Sequence, residues 1–148
     1  MKNILTIMTA LALLGCSGGQ APNTGVYMLI DTSGTYREEI EKAEQIIRYA
    51  LTRLDATDSF AVARVDTGSF SEKDIVAKIT FDDRPSAMNR QKRLFAEQVQ
   101  TFVNDARSSR YTDITGGLLQ AVEFLNEKKP ARKTVLIVSD LKEDLEAG

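Results

Sequence analysis

Two short apolar segments, each followed closely by an aspartate, constrain the fold of this chain more than any other feature. Residues 26–30 read VYMLI and are followed directly by Asp31. Residues 134–138 read TVLIV and are separated from Asp140 by one serine. The first run is typical of a strand that is buried on both faces, as the strands of parallel sheets are, and the second run is a further apolar strand, which is expected near an unpaired edge of the sheet. The two segments therefore predict an α/β fold.

The residues between these strands predict three helices and two further strands. Apolar residues recur every three or four positions in residues 36–54, after Pro85 and in residues 114–127, as they do in amphipathic helices. In the third helix, the residues predicted to face inward are Leu118, Leu119, Val122 and Leu125. Residues 59–65 and 74–81 are predicted strands, and the turn-forming residues between them predict an antiparallel hairpin at one edge of the sheet. This order predicts a Rossmann-like, doubly wound and mostly parallel sheet with helices on both faces.

The composition excludes several classes of function. A chain of 148 residues predicts one domain, and its net charge of -2 provides no electrostatic basis for binding nucleic acid. The chain contains no histidine and one cysteine. Histidine-dependent catalytic triads, cysteine-based zinc clusters and intrachain disulfides are therefore excluded.

The N-terminal residues 1–15 predict a secretory signal peptide. Lys2 precedes an apolar run over residues 4–14, which as a helix spans only about 16 Å, too short for a bilayer core of about 30 Å. The sequence LLGC that ends at Cys16 resembles the lipobox of bacterial lipoproteins. That resemblance implies that Cys16 is lipidated and that residues 16–25 form a short tether, whereas the alternative is an ordinary signal peptide with an incidental cysteine.

The lipobox also implies a location in the bacterial cell envelope. In double-membrane bacteria, an aspartate directly after the lipidated cysteine retains the protein at the inner membrane, and this chain has Ser17 there. We therefore expect attachment to the periplasmic side of the outer membrane in such a bacterium. In a single-membrane bacterium, we expect the outer face of the cytoplasmic membrane.

Oxygen-bearing side chains gather where the predicted strands end and where the third helix begins. The set comprises Asp31, Ser33, Thr35, Thr112 and Asp140. Ligands of open α/β sheets bind at the carboxyl ends of the strands, so we expect these side chains to converge there. Carboxylate and hydroxyl oxygens are hard donors, which suit Mg²⁺, Mn²⁺ or Ca²⁺ rather than zinc or copper.

The motifs and the order of elements resemble those of the von Willebrand factor A domain. The resemblance covers residues 24–145 and rests on DTSGT at residues 31–35, on YTDITGG at residues 111–117 and on VSD at residues 138–140. The family fold continues with further strands and helices beside the fourth strand. The resemblance therefore implies that the domain over residues 26–148 is C-terminally truncated, or that a partner covers this edge.

In that family, the motif residues form a metal-ion-dependent adhesion site. The pattern implies that Ser33 and Thr35 bind the metal directly and that Thr112 does so when a ligand is held. It implies that Asp31 and Asp140 act mainly through bound waters. Hydroxyl ligands leave most of the metal's charge unneutralised, so an acidic residue of a partner protein would complete the coordination shell. The implied function is non-enzymatic protein binding.

Two alternatives remain open. The DTSGT motif also resembles the motif of haloacid-dehalogenase-like phosphatases, but Ser33 replaces their second aspartate, and a hydroxyl is a poor proton shuttle near neutral pH. The other alternative is a metal-free structural module in which Asp31 and Thr112 cap helices. Asp113 is either a helix cap or a group that orients the metal ligands.

Overall fold

The computed structural model confirms the predicted order of strands and helices. It describes residues 22–32, 36–65, 69–106, 109–139 and 141, with the backbone alone for residues 36–38. The elements are β1 (Thr24–Ile30), α1 (Tyr36–Arg53), β2 (Ser59–Arg64), β3 (Ile75–Thr80), α2 (Pro85–Asp105), α3 (Ile114–Lys128) and β4 (Arg132–Val138), with a short 3₁₀ helix, Glu72–Asp74, before β3. Each lies within a few residues of its predicted bounds.

The four strands form one open, mixed sheet in the order β3-β2-β1-β4. β1 pairs in parallel with both β2 and β4, and β2 pairs antiparallel with β3, so the predicted edge hairpin is confirmed. The two apolar strands are neighbours, with Val26 opposite Thr134 and Ile30 opposite Val138. Since β1 and β4 run in the same direction, the residues that follow the two strands lie at the same end of the sheet, where the strands have their carboxyl ends.

Helices cover both faces of the sheet, which explains why residues 26–30 of β1 are all apolar and buried. Successive side chains of a strand point to opposite faces. Met28 therefore packs with Ile47 of α1 and Phe95 of α2 in one core, whereas Leu29 packs with Ala121 of α3 in the other. The predicted α/β class and mostly parallel sheet are confirmed.

The predicted inward face of α3 is wrong at two positions. Leu119 and Val122 are 68% and 54% exposed, while the smaller Gly117 and Ala121 lie inside. A Cβ atom added at Gly117 would lie 2.7 Å from the Val65 side chain. The small residues therefore allow the helix to approach the sheet closely, and that approach turns Leu119 and Val122 outward.

The strand β1 begins two residues earlier than predicted, inside the expected tether. The Thr24 N–H donates to Asp58 Oδ1 at 2.6 Å, and the Arg132 N–H donates to the Asn23 carbonyl at 3.1 Å.

The predicted signal peptide and Cys16 lie outside the described residues. In the part of the chain that the structure describes, no helix combines the length and the apolar character needed to span a bilayer.

Candidate functional site

Asp31 follows the last residue of β1 and is nearly buried, with 6% of its surface exposed. Its N–H donates to the Val138 carbonyl at 2.9 Å, which ties the end of β1 to the end of β4. The Ser139 hydroxyl donates to Asp31 Oδ2 at 2.7 Å, and the Thr112 hydroxyl approaches Oδ1 at 3.4 Å. Each carboxylate oxygen therefore faces a hydroxyl from a different part of the chain.

Backbone hydrogen bonds bring Thr112 to Asp31 across 81 positions of sequence. The Val65 N–H donates to the Ile30 carbonyl at 3.0 Å, and the Val65 carbonyl accepts from the Asp113 N–H at 2.9 Å. The end of β2 thus joins the end of β1 to the loop before α3. Thr112, 1% exposed, is held beside Asp31 by this arrangement.

Asp113 caps α3, which is one of the two roles expected from the sequence. Its Oδ1 accepts from the Gly116 N–H at 2.7 Å, a bond that satisfies a donor in the first turn of the helix. Its Oδ2 accepts from the Phe70 N–H at 2.7 Å. Both oxygens of this carboxylate are therefore engaged by backbone groups, and Asp113 also fixes the connection between β2 and β3 against the helix.

Ser139 is a site residue that the sequence reasoning missed. Its Oγ donates to Asp31 and accepts from the Leu141 N–H at 2.9 Å, so one hydroxyl holds both the carboxylate and the loop after β4. The signal was available: a serine stands between an apolar strand and a predicted metal ligand. Only the parallel pairing of β1 with β4 shows that its partner is Asp31.

Of the five predicted metal ligands, the structure describes Asp31 and Thr112 and brings them together. Ser33, Thr35 and Asp140 lie outside the described residues. Within the described ranges, no group of three or more His, Cys, Asp or Glu residues is placed to hold a metal. The predicted set contains only two carboxylates. The described donors at this edge are carboxylate and hydroxyl oxygens, and that chemistry fits a hard divalent cation.

A comparison of the chain with models of protein families finds no match, and a comparison with curated proteins finds none either. The resemblance to the von Willebrand factor A domain therefore rests on the three motifs and on the order of the elements.

Proposed function

We propose that this protein is a lipid-anchored, metal-ion-dependent protein-binding module of the bacterial cell envelope, without enzymatic activity. The buried approach of Thr112 to Asp31 at the carboxyl edge of the sheet carries the proposal. The two residues come from the first and second of the three motifs. Ser139, the residue before the predicted ligand Asp140, touches the same carboxylate.

The proposed metal is Mg²⁺, with Mn²⁺ or Ca²⁺ as substitutes, held by Asp31, Ser33, Thr35, Thr112 and Asp140. When bound, it would supply an electrophilic centre for an acidic side chain of a partner protein. The role of Ser139 is to fix the orientation of the Asp31 carboxylate through its short hydrogen bond. Thr112 would be positioned in advance because the backbone on its C-terminal side is bound to β2.

The anchoring part of the proposal rests on the LLGC sequence that ends at Cys16. Ser17 favours the periplasmic side of the outer membrane in a double-membrane bacterium. Mass spectrometry of the membrane-extracted protein should show a diacylglyceryl group and an amide-linked acyl chain on Cys16. An unmodified thiol in the membrane form would contradict the anchor without affecting the metal site.

Metal titration of matched variants tests the site. We expect Mn²⁺ to bind the purified chain in calorimetry, to compete with Mg²⁺ and to be removed by EDTA. Asp31→Asn should abolish binding, because it removes the charge and keeps an oxygen that accepts from Ser139. Asp82→Asn, which changes a carboxylate paired with Arg84 outside the site, should leave binding intact.

Two results would favour the alternatives. Equal Mn²⁺ affinity in the wild type and in Asp31→Asn, or no binding in either, would point to the metal-free module. Asp31→Ala should then act only as the loss of a helix cap, at about 1 kcal/mol. Metal-dependent hydrolysis of a phosphate ester that Asp31→Asn abolishes would point to the phosphatase.

A further inference from the structure

The chain enters the described domain at the end of the sheet that lies opposite the candidate metal site. β1, β2 and β4 begin there, with Thr24 opposite Arg132 and Gly25 opposite Ser59. β3 runs the other way and ends there, since Thr80 pairs with Ser59. Each helix has one terminus at this end, because α1 and α3 finish here and α2 starts here. We call it the amino end of the sheet.

The start of α2, at the amino end, is strongly basic. Its first three turns, with the residue before them, contain Arg84, Arg90, Lys92 and Arg93 and no acidic residue. Arg90 and Arg93 are exposed, and both lean toward the amino end, because helical side chains tilt toward the N-terminus of their helix. Cations at this position oppose the helix macrodipole, so the stability of the helix does not explain their presence.

The connection from α3 to β4 adds a second group of cations at the same end. The group comprises Lys128, Lys129, Arg132 and Lys133. Lys128 is paired with Glu127 at 2.7 Å, whereas Lys129, Arg132 and Lys133 are exposed. α2 and α3 pack on opposite faces of the sheet, so basic side chains flank its amino end on both sides.

The other charges in this half of the domain do not cancel these cations. The further basic residues are Arg48, Arg53 and Lys78. The acidic residues are Asp55, Asp58, Asp82, Asp83, Glu123 and Glu127. Among the described residues, this half therefore holds eleven basic side chains and six acidic ones, although the whole chain has a net charge of -2.

The half of the domain that holds the candidate metal site has the opposite sign. Its described basic side chains are Lys42, Arg64, Lys73 and Arg110. Its described acidic side chains are Asp31, Glu39, Glu41, Glu44, Glu72, Asp74, Glu97, Asp105 and Asp113. An anionic surface therefore attracts the amino end and repels the other end, which gives the domain a preferred orientation on that surface.

The proposed lipid anchor would hold this same end beside a membrane, and the inference rests on that part of the proposed function. Six peptide links separate Cys16 from Pro22, where the described residues begin. Even fully extended, this segment spans only about 22 Å. The Asn23 carbonyl accepts from the Arg132 N–H, so the sheet holds the chain from there onward. The tether keeps the amino end close to the bilayer but leaves the tilt of the domain free, and charge can fix that tilt.

We propose that the amino end of the sheet binds the anionic phospholipid surface of the membrane that holds the anchor. Arg90, Arg93 and Lys129 contact lipid phosphates, and the strands stand upright on the bilayer. α2 has 21 residues and is therefore about 30 Å long. The candidate metal site then faces away from the membrane at about that height, where a partner protein can reach it.

Vesicle sedimentation tests the basic surface without the anchor. The probe is the chain without residues 1–15 and with Cys16→Ser, measured in EDTA so that the metal site plays no part. It should bind vesicles that contain about 30% phosphatidylglycerol in phosphatidylcholine, and raising the salt from about 0.05 to 0.5 M should release it. No binding to these vesicles, or equal binding to pure phosphatidylcholine, would overturn the proposal.

Matched triple variants test which end of the domain binds. Replacing Arg90, Arg93 and Lys129 with glutamine should weaken vesicle binding about a hundredfold, because each basic side chain near an anionic surface contributes about a fivefold factor. The control replaces a second set of exposed cations at the other end with glutamine and removes the same charge. That set is Lys42, Lys73 and Arg110. The control should change the affinity by less than about threefold, and equal losses in the two variants would contradict a specific basic surface.

Energy transfer to labelled lipids tests the orientation. Asn89 and Asn104 are both exposed on α2, and the helix rises about 22 Å between them. A donor dye on Asn89→Cys, in the Cys16→Ser chain, should transfer more energy to acceptor lipids than the same dye on Asn104→Cys. Equal transfer from the two positions, or more from Asn104→Cys, would refute the upright orientation.

Failure of the anchor and failure of this surface give different results. An unmodified Cys16 in the mass spectrum of the membrane form would refute the anchor, and with it the membrane contact that is proposed here. Loss of vesicle binding alone, with Cys16 lipidated, would refute the basic surface and leave the anchor and the metal site as proposed.

Discussion

Replacing Tyr27 with phenylalanine should stabilise the protein. Tyr27 is completely buried in the middle of β1, and its ring meets the edge of Phe124 with centroids 5.5 Å apart. Its hydroxyl has no hydrogen-bond partner among the described residues. Folding therefore removes a hydroxyl from water without replacing its hydrogen bonds, which costs about 1–3 kcal/mol.

We expect Tyr27→Phe to raise the free energy of unfolding by about 1 kcal/mol, because the benefit is partly offset by the small void that the oxygen leaves. For a chain of this size, that corresponds to a rise in Tm of about 2–4 °C. Urea unfolding followed by circular dichroism at pH 7 measures the change. The control is Tyr49→Phe on the exposed surface of α1, which should change stability by less than about 0.5 kcal/mol.

The same residue predicts how stability changes in alkali. Burial and the nearby charge of Asp74 raise the pKa of Tyr27 well above its usual value of about 10. The folded state therefore keeps a proton that the unfolded state releases. The free energy of unfolding is unaffected by this titration below about pH 10, and above it the free energy falls by up to about 1.4 kcal/mol per pH unit.

Tyr27→Phe should remove this one-proton dependence between about pH 10 and pH 11. The higher free energy of unfolding at pH 7 and the loss of the pH dependence above about pH 10 have the same cause, the buried hydroxyl of Tyr27. Tyr27→Phe should therefore show both. A variant that is less stable than the wild type by 1 kcal/mol or more would refute the reasoning, because it would show that the hydroxyl has a partner in the folded protein.

Three further substitutions test the packing and the site. Gly117→Ala should destabilise the chain by about 1–3 kcal/mol in urea unfolding, since its Cβ would meet Val65 at 2.7 Å; an unchanged midpoint would contradict this close approach. Asp113→Ala should cost about 2 kcal/mol, because two backbone N–H groups lose their acceptor, and amide exchange at those groups should accelerate. Ser139→Ala should lower Mn²⁺ affinity about tenfold with little loss of stability, whereas unchanged affinity would remove Ser139 from the proposed orientation of Asp31.

The sequence by itself determined the elements and their layering. A strand buried on both faces must be apolar at every position, and a helix on a sheet must be apolar at every third or fourth, so residues 26–30 and 36–54 carry different signatures. Topology then predicted that the ends of β1 and β4 meet, because parallel strands end at one edge. The hydrogen bonds from the Asp31 N–H to the Val138 carbonyl and from the Ser139 hydroxyl to the Asp31 carboxylate agree with that prediction.

Tertiary structure alone decided which apolar residues are covered and which oxygens meet. Leu119 and Val122 fit the helical period as well as Leu125 does, but the contact made by Gly117 rotates them away from the sheet. Ser139 and Asp31 are 108 positions apart. A local pattern records how apolar a residue is and how often such residues recur. Whether a face is covered depends on the elements that pack beside it, and a hydrogen bond depends on positions that only the assembled sheet brings within 3 Å.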